Sequence, residues 1–253
     1  MQVLATPLET TDDALYRGQV RLRQPKNGYR FGSDAALLAA CVTGESGQKV
    51  LDLGCGVGAV LLGAAYRLQQ VAFTGIEREA EYALLAQYNA TANNMAHRVT
   101  VIQDDVRSKQ SAPLFGTFDH VVANPPYFGQ DTHTAAPQKL RAVARQETDA
   151  TIADWLQAAN VFLRPQGTLT MIYPMDRLSQ WLYEASRFAG GITIFPLWPK
   201  TGRQAKRVVL RATKGSNAPT ALAPGLIVHR EDGSYTDEAD AVINQGRYLN
   251  LGL

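Results

Sequence analysis

The strongest constraint on this chain is a set of four short apolar runs, each cut off by residues that stop a sheet or carry chemistry. Val50-Leu51-Asp52-Leu53 runs into Gly54-Cys55-Gly56-Val57-Gly58, and Val71–Ile76 into Glu77. Val99–Ile102 runs into Gln103-Asp104-Asp105, and Phe118–Ala123 into Asn124-Pro125-Pro126-Tyr127. Helical stretches, Ala59–Leu68 and Glu79–Asn94, follow the first two. Buried runs that alternate with helices through short links predict a parallel sheet with helices on both faces. Ligands of such sheets sit beyond the carboxyl ends of the strands, so the four terminating groups should converge on one rim.

The later chain extends the pattern. Phe128–Ala150 shows little periodicity, and a loop of that length is expected to be a lid or a binding loop. An amphipathic helix follows from Thr151 or Ile152 to Leu163, with Trp155 and Phe162 facing the core. Arg164-Pro165-Gln166-Gly167 breaks it before a fifth strand, Thr168–Tyr173, and a helix, Met175–Phe188. Ile192–Trp198 and Ala205–Thr213 read as an antiparallel pair, although Pro196 cannot donate to a ladder. The tail holds a short strand, Leu226–His229, and a helix start near Asp237.

At the front, residues 1–14 read as loose and Val20–Leu22 as an edge strand, with Pro25–Gly28 as the turn closing a short hairpin. Ser33 or Asp34 caps the helix Ala35–Val42. The expected fold class is α/β: a Rossmann-like, mostly parallel seven-stranded sheet with an antiparallel late hairpin. A basic N-terminal extension or hairpin (1–33) precedes the main domain (34–253).

The totals narrow the function class. The 253 residues are 45% hydrophobic and 19% charged, enough for one large core. No run approaches the ~20 apolar residues that cross a bilayer, and Met1–Asp13 lacks a basic start with an apolar block. Cys41 and Cys55 are the only cysteines and do not make a disulfide framework, so reduced thiols and a cytoplasmic protein are expected. The four histidines are scattered, so no metal site is expected. A net charge of +2 is too small to argue for nucleic acid by itself.

Each strand end has a chemical reading beside a plain one. The glycine loop (Gly54, Gly56, Gly58) lets backbone approach a ligand closely, and its Gly-x-Gly-x-Gly spacing disfavours a dinucleotide. Asp52 precedes it; a carboxylate there faces a cation rather than a pyrophosphate. S-adenosylmethionine fits, with its ammonium and sulfonium and no phosphate. The plain reading of Asp52 is a loop cap. Glu77, about 20 residues past the loop, suits ribose hydroxyls, against a solvated strand end. Asp104, favoured over Asp105, can accept from the adenine amino group. Asn124 and the Pro125 carbonyl can accept the two hydrogens of a planar amine while Tyr127 stacks on the ring. The plain reading of that stretch is a proline turn.

Asp52–Gly58, Glu77 and Asn124-Pro-Pro-Tyr127 together resemble the class I S-adenosylmethionine-dependent amino methyltransferases. Gln24–Ala40, Trp198–Val209 and His229–Thr236 narrow this. They resemble the bacterial family that methylates N6 of the adenine beside the anticodon of a valine tRNA. The likeness covers nearly the whole chain after Asp13 and makes 34–253 the methyltransferase domain. It implies that Arg30, Gly32, Ser33 and Asp34 close over the cofactor, that Asn124 borders it, and that the partner is RNA, with tRNA foremost. One departure is Gln146, where relatives are expected to carry His.

Basic residues fall into three groups: Arg17, Arg21, Arg23, Lys26 and Arg30; Lys139, Arg141 and Arg145; and Lys200, Arg203, Lys206, Arg207, Arg211 and Lys214. Arg23, Lys26, Lys200, Arg203, Lys206 and Arg207 are the candidates for holding an RNA backbone, against the plain reading of solvated faces. Tyr29 and Phe31 lie among them, able to stack on a base or to enter the core. The rival acceptors are a protein glutamine amide and an rRNA guanine N2; the rival of another class is a non-catalytic RNA-binding module.

Overall fold

The computed structural model describes residues 9–108, 111–126 and 150–252. Tyr127, and with it most of the expected binding loop, including Lys139, Arg141, Arg145 and Gln146, lies outside the described residues.

The chain opens with a hairpin of β1 (Thr10–Leu15) and β2 (Val20–Pro25), paired from Thr10 opposite Pro25 to Leu15 opposite Val20. Residues 10–14 are therefore strand rather than loose chain, and the hairpin turns at Tyr16–Gln19, not at Pro25–Gly28. Tyr16 and Arg17 take left-handed backbone angles there (φ 53° and 52°), a turn that the residue types do not advertise. Val20 and Leu22 are buried in the main core, so the hairpin shares its packing with the rest of the chain.

The main sheet contains β3 (Lys49–Leu53), β4 (Ala72–Glu77), β5 (Val99–Gln103), β6 (Phe118–Ala123), β7 (Leu163–Pro174), β8 (Ala189–Trp198) and β9 (Arg207–Lys214). Two short strands, β10 (Ala221–Leu222) and β11 (Leu226–Ile227), lie beyond β8. The long strands run in the order β8-β9-β7-β6-β3-β4-β5. All neighbours from β7 to β5 are parallel, and β9 is antiparallel to both β7 and β8. The seven expected strands are all present, and β10 and β11 add two residues each at the outer edge.

Pro196 accounts for the division of that edge. It pairs with Val208 on its inner side and has no N–H for an outer partner. The outer strand is accordingly interrupted opposite it, where Gly225 (φ +83°) passes so close that a Cβ would sit 2.2 Å from the Pro196 carbonyl oxygen.

Among the described residues, six helices cover the sheet: α1 (Ser33–Cys41), α2 (Ala59–Arg67), α3 (Ala80–Ala92), α4 (Ile152–Phe162), α5 (Leu178–Ala185) and α6 (Asp237–Ile243). Alternate strand residues divide the core between two faces. Val50 and Val122 pack with α1, α2, α3 and α6; Leu51, Leu53, Val121 and Ala123 pack with α4 and α5. Residues Ala35 to Cys41 of α1 are all buried, because α1 lies between the sheet, α2 and α6. Thr151 and Asp154 form a capping box that starts α4. The helix expected over Met175–Phe188 is a 3₁₀ turn, Met175–Arg177, followed by the shorter α5.

β7 starts earlier than expected, at Leu163, and absorbs the Arg164–Gly167 break as a register irregularity opposite Phe118–His120. The chain runs outward from β3 through β4 to β5, then returns to place β6 on the other side of β3. That reversal opens a crevice between the carboxyl ends of β3 and β6.

Candidate active site

A cleft of about 370 Å³, open to solvent at its mouth, occupies the crevice, lined by Asp52, Gly54 to Val57 and Asn124 and, from the N-terminal side, by Tyr29, Phe31 and Ala35.

Asp52, on β3, is 1% exposed. Its Oδ2 is buried without a hydrogen-bond partner. Burial pushes its carboxyl well above the usual carboxylate range, the Leu61 backbone opposes the shift and the Glu77 charge adds to it. An orphaned buried carboxylate oxygen on a ligand cleft calls for a cation. The methionine ammonium of S-adenosylmethionine supplies one, so the donor set fits that cofactor.

Glu77 ends β4 beside the cleft. Its Oε2 accepts from Gly56 N–H at 2.9 Å and its Oε1 from Glu79 N–H at 2.8 Å. Each oxygen keeps a second lone pair for a ribose hydroxyl. Gly54, Gly56 and Gly58 all have positive φ (+65°, +56° and +88°). They serve different ends: a Cβ on Gly56 would meet nothing, while a Cβ on Gly54 would lie 2.4 Å from the Trp155 ring. Gly54 is thus demanded by packing against α4 as much as by a ligand.

Asp104 is buried and engaged within its own loop, accepting from Asp105 N–H at 2.9 Å and from the Ser111 hydroxyl at 2.6 Å. Asp105 instead pairs with Arg107 at 2.9 Å.

Asn124 sits just past β6 with Pro125 buried and Pro126 exposed. Its Nδ2 donates to the Tyr29 hydroxyl at 3.5 Å. Tyr127, the expected stacking ring, lies outside the described residues.

The N-terminal quartet is placed less simply. The Arg30 guanidinium turns to the hairpin, binding Asp13 at 2.8 Å, Thr11 at 2.8 Å and the Pro25 carbonyl at 2.9 Å. Asp34 pairs with Arg207 at 3.2 Å. Gly32 and Ser33 form the start of α1. The cleft is lined from this side by Tyr29, Phe31 and Ala35. Phe31 also packs on the core, as one of its two readings expects.

Of the basic candidates, Lys200, Arg203, Lys206 and Arg207 lie on the β8–β9 turn and at the start of β9, level with the carboxyl ends of β6 and β7. They share the rim with Asn124. Arg203 and Lys206 are exposed, and Lys200 donates to the Glu231 carbonyl at 2.7 Å. Arg23 binds Asp12 at 2.9 Å and covers the Tyr88 ring at 4.6 Å; Lys26 pairs with Glu9 at 3.2 Å. Among the described residues no group of His, Cys, Asp and Glu could hold a metal, and no helix is long and apolar enough to cross a membrane.

Sequence reasoning missed Tyr82, whose hydroxyl holds the Tyr29 backbone. Its only signal was a place on the same side of α3 as Asn89.

A parallel sheet of this order, a glycine loop after β3, acids after β3 and β4, and Asn-Pro-Pro after β6 define an S-adenosylmethionine-dependent class I methyltransferase. Residues 29–178 match the family described as methyltransferase small domain, and the chain belongs to it. A Porphyromonas gingivalis protein named tRNA1(Val) (adenine(37)-N6)-methyltransferase is 30% identical over 218 residues, 83% of this chain and 85% of its own. A Shewanella baltica protein of the same name is 34% identical over 83% of this chain and 88% of its own. A crystal structure described as a predicted O-methyltransferase from Agrobacterium tumefaciens is 26% identical. It superposes with a TM-score of 0.72, covering 86% of this chain and 98% of that one.

Proposed function

We propose that this protein methylates the exocyclic N6 amino group of an adenine in tRNA, the target being the one named for its relatives. The observation that carries the reading is Asn124 on the same cleft as the orphaned Asp52 oxygen. An amide that can accept from an amine thus faces a site built for a cationic methyl donor. The names of relatives that cover most of the chain supply the nucleotide. A cytoplasmic location goes with that substrate.

The cofactor, when bound, supplies an electrophilic methyl carbon on a sulfonium. Asp52 would hold its ammonium and Glu77 its ribose hydroxyls. Asp104 keeps the loop after β5 in place through Ser111. The chain's own work at the acceptor is positional. An adenine amine is a poor nucleophile because its lone pair is delocalised into the ring. The Asn124 carbonyl oxygen and the Pro125 carbonyl each accept one of its hydrogens, and Pro126 brings no competing N–H. The nitrogen becomes more pyramidal and its lone pair turns toward the methyl carbon. So held, the amine would take the methyl group the cofactor supplies and would lose its surplus proton to water, so no strong base is required.

The test is methyl transfer from labelled cofactor to RNA from cells lacking this protein, followed by nucleoside analysis. N6-methyladenosine is expected; methylated guanine or label in protein would overturn the reading. Asn124→Ala should lower transfer by about a hundredfold or more with cofactor binding kept. Unchanged turnover would reduce the motif to a turn.

A further inference from the structure

The N-terminal wall of the cleft has little framework of its own. Residues 29–32 belong to no helix or strand, and Lys26 to Arg30 are exposed. Tyr29 and Phe31 nevertheless line the cleft from this segment. Side chains from elsewhere hold their backbone. The Tyr82 hydroxyl accepts from Tyr29 N–H at 3.1 Å and donates to the Tyr29 carbonyl at 3.3 Å, two bonds that one phenol can make together. The buried Gln24 accepts from Phe31 N–H at 3.2 Å and donates to Asp13 at 2.9 Å. Arg30 donates to the Pro25 carbonyl at 2.9 Å. Gln24 and Arg30 fasten the wall to the hairpin, whereas Tyr82 fastens it to α3. Gly28 leaves space for that clamp: at φ +114°, a Cβ there would lie 2.9 Å from the Tyr82 oxygen.

The place of Tyr82 on α3 gives the clamp a consequence for the site. Tyr82 lies in the first turn of the helix, whose N-cap residue, Glu79, donates its N–H to Glu77 at 2.8 Å. Glu77 in turn accepts from Gly56 N–H in the glycine loop at 2.9 Å. Further along the same helix, Asn89 donates to the Val57 carbonyl of that loop at 2.9 Å. The glycine loop, the acid after β4 and the N-terminal wall are thus all fixed to one helix. The spacing between wall and loop is set through α3, and on the wall side it passes through a single phenol. Tyr82 itself is not part of the cleft lining, so any effect it has on a ligand goes through Tyr29.

Resting on the placement of the cofactor in this cleft, we propose that Tyr82 is a positioning residue for S-adenosylmethionine. Its hydroxyl fixes the Tyr29 peptide and so keeps the wall that carries Tyr29 and Phe31 at the spacing the cofactor requires.

The experiment compares wild type, Tyr82→Phe and Gly28→Ala. It uses calorimetry with S-adenosylmethionine and S-adenosylhomocysteine, hydrogen exchange of the peptide covering Tyr29, and steady-state kinetics. Tyr82→Phe keeps the ring and removes only the clamp. It should raise Kd for both ligands by about threefold to tenfold, because the clamp acts through spacing and not through charge. KM for the cofactor should rise by a similar factor while kcat moves less, and the Tyr29 amide should exchange faster than in wild type. Gly28→Ala, whose methyl group would press on the phenol oxygen, should weaken both ligands in the same way. Unchanged Kd values in Tyr82→Phe overturn the inference whether or not the melting temperature falls, since Tyr82 would then serve stability alone. A loss confined to S-adenosylmethionine overturns it as well, because that marks an effect of charge. Wild-type protein that gives no heat with either ligand fails the placement of the cofactor itself, a separate result that removes this inference with it.

Discussion

Asp52 concentrates the electrostatic problem of the site in one side chain. Its carboxyl is buried, one oxygen has no partner, and its pKa stands well above the usual range. For an acid shifted upward, folding takes up a proton. Stability is lost as pH rises from the unfolded value of ~4 toward the shifted one. Without cofactor, Asp52→Asn should therefore melt at a temperature equal to or above wild type at pH 7. The same variant should bind S-adenosylmethionine at least about tenfold more weakly, since a charge-assisted bond to the ammonium is gone. Calorimetry with a melting curve checks both; a variant that binds normally would leave Asp52 as a loop cap.

His120 works in the opposite sense. Burial between Thr168 (2.7 Å) and Gln48 (3.0 Å) lowers its pKa to about 4. A histidine depressed from 6.5 leaves the folded protein at full stability above pH ~6.5 and weakens it as pH falls toward 4. The upper limit is about 3 kcal/mol. Denaturant titrations at pH 7 and pH 5 should show the drop, and His120→Gln should flatten it.

At the scale of elements, two asparagines, Asn89 on α3 and Asn93 at its C-cap, do the work of a strand. Asn93 accepts from Arg21 N–H (2.9 Å) and donates to the Arg21 carbonyl (2.6 Å). One turn earlier, Asn89 makes the same pair with Arg23 at 2.8 and 2.9 Å. Their spacing of four puts both amides on one side of the helix, facing the edge of β2. Asn89 also donates to the Val57 carbonyl at 2.9 Å, so one buried amide joins the hairpin, α3 and the glycine loop. Asn89→Ala should cost on the order of 2–4 kcal/mol and weaken cofactor binding, read by denaturant melts and calorimetry. Asn93→Ala, more exposed, should cost less.

Arginines finish the helix ends where glycine is absent. Arg67 donates to the Ala39 and Val42 carbonyls and Arg211 to that of Cys41, all at the end of α1. Arg98 does the same for Ala65 and Leu68 at the end of α2.

At the scale of the molecule, charge is sorted by what surrounds it. Arg23, Lys26 and Arg30, expected to hold RNA or to close over the cofactor, each pair with an acidic neighbour, Asp12, Glu9 and Asp13, across the hairpin. Arg203 and Lys206 face solvent on the rim that holds Asn124. Reversing both to Glu should weaken tRNA binding and reduce the salt slope of log K by about 2. Reversing Arg23 and Lys26 should change the slope little. Filter binding over a range of salt separates the two; equal effects from both pairs would leave the hairpin side as the RNA face.

The order of elements and the rim of strand ends were legible in the sequence. Period, proline and glycine act on a few neighbouring residues, and each strand ends in residues that stop a sheet or carry chemistry. Asp52, the glycine loop, Glu77 and Asn124 were therefore readable one by one as strand ends, and the sheet's reversal at β3 brings Asp52, the loop and Asn124 onto one cleft. What local pattern could not carry was decided by the tertiary structure. A left-handed turn at Tyr16–Arg17 made β1 a strand, and acidic partners across the hairpin took up Arg23, Lys26 and Arg30. Tyr82 reaches Tyr29 from 53 residues along the chain. Each depends on which groups meet in space, and residue type alone does not say what a side chain will face.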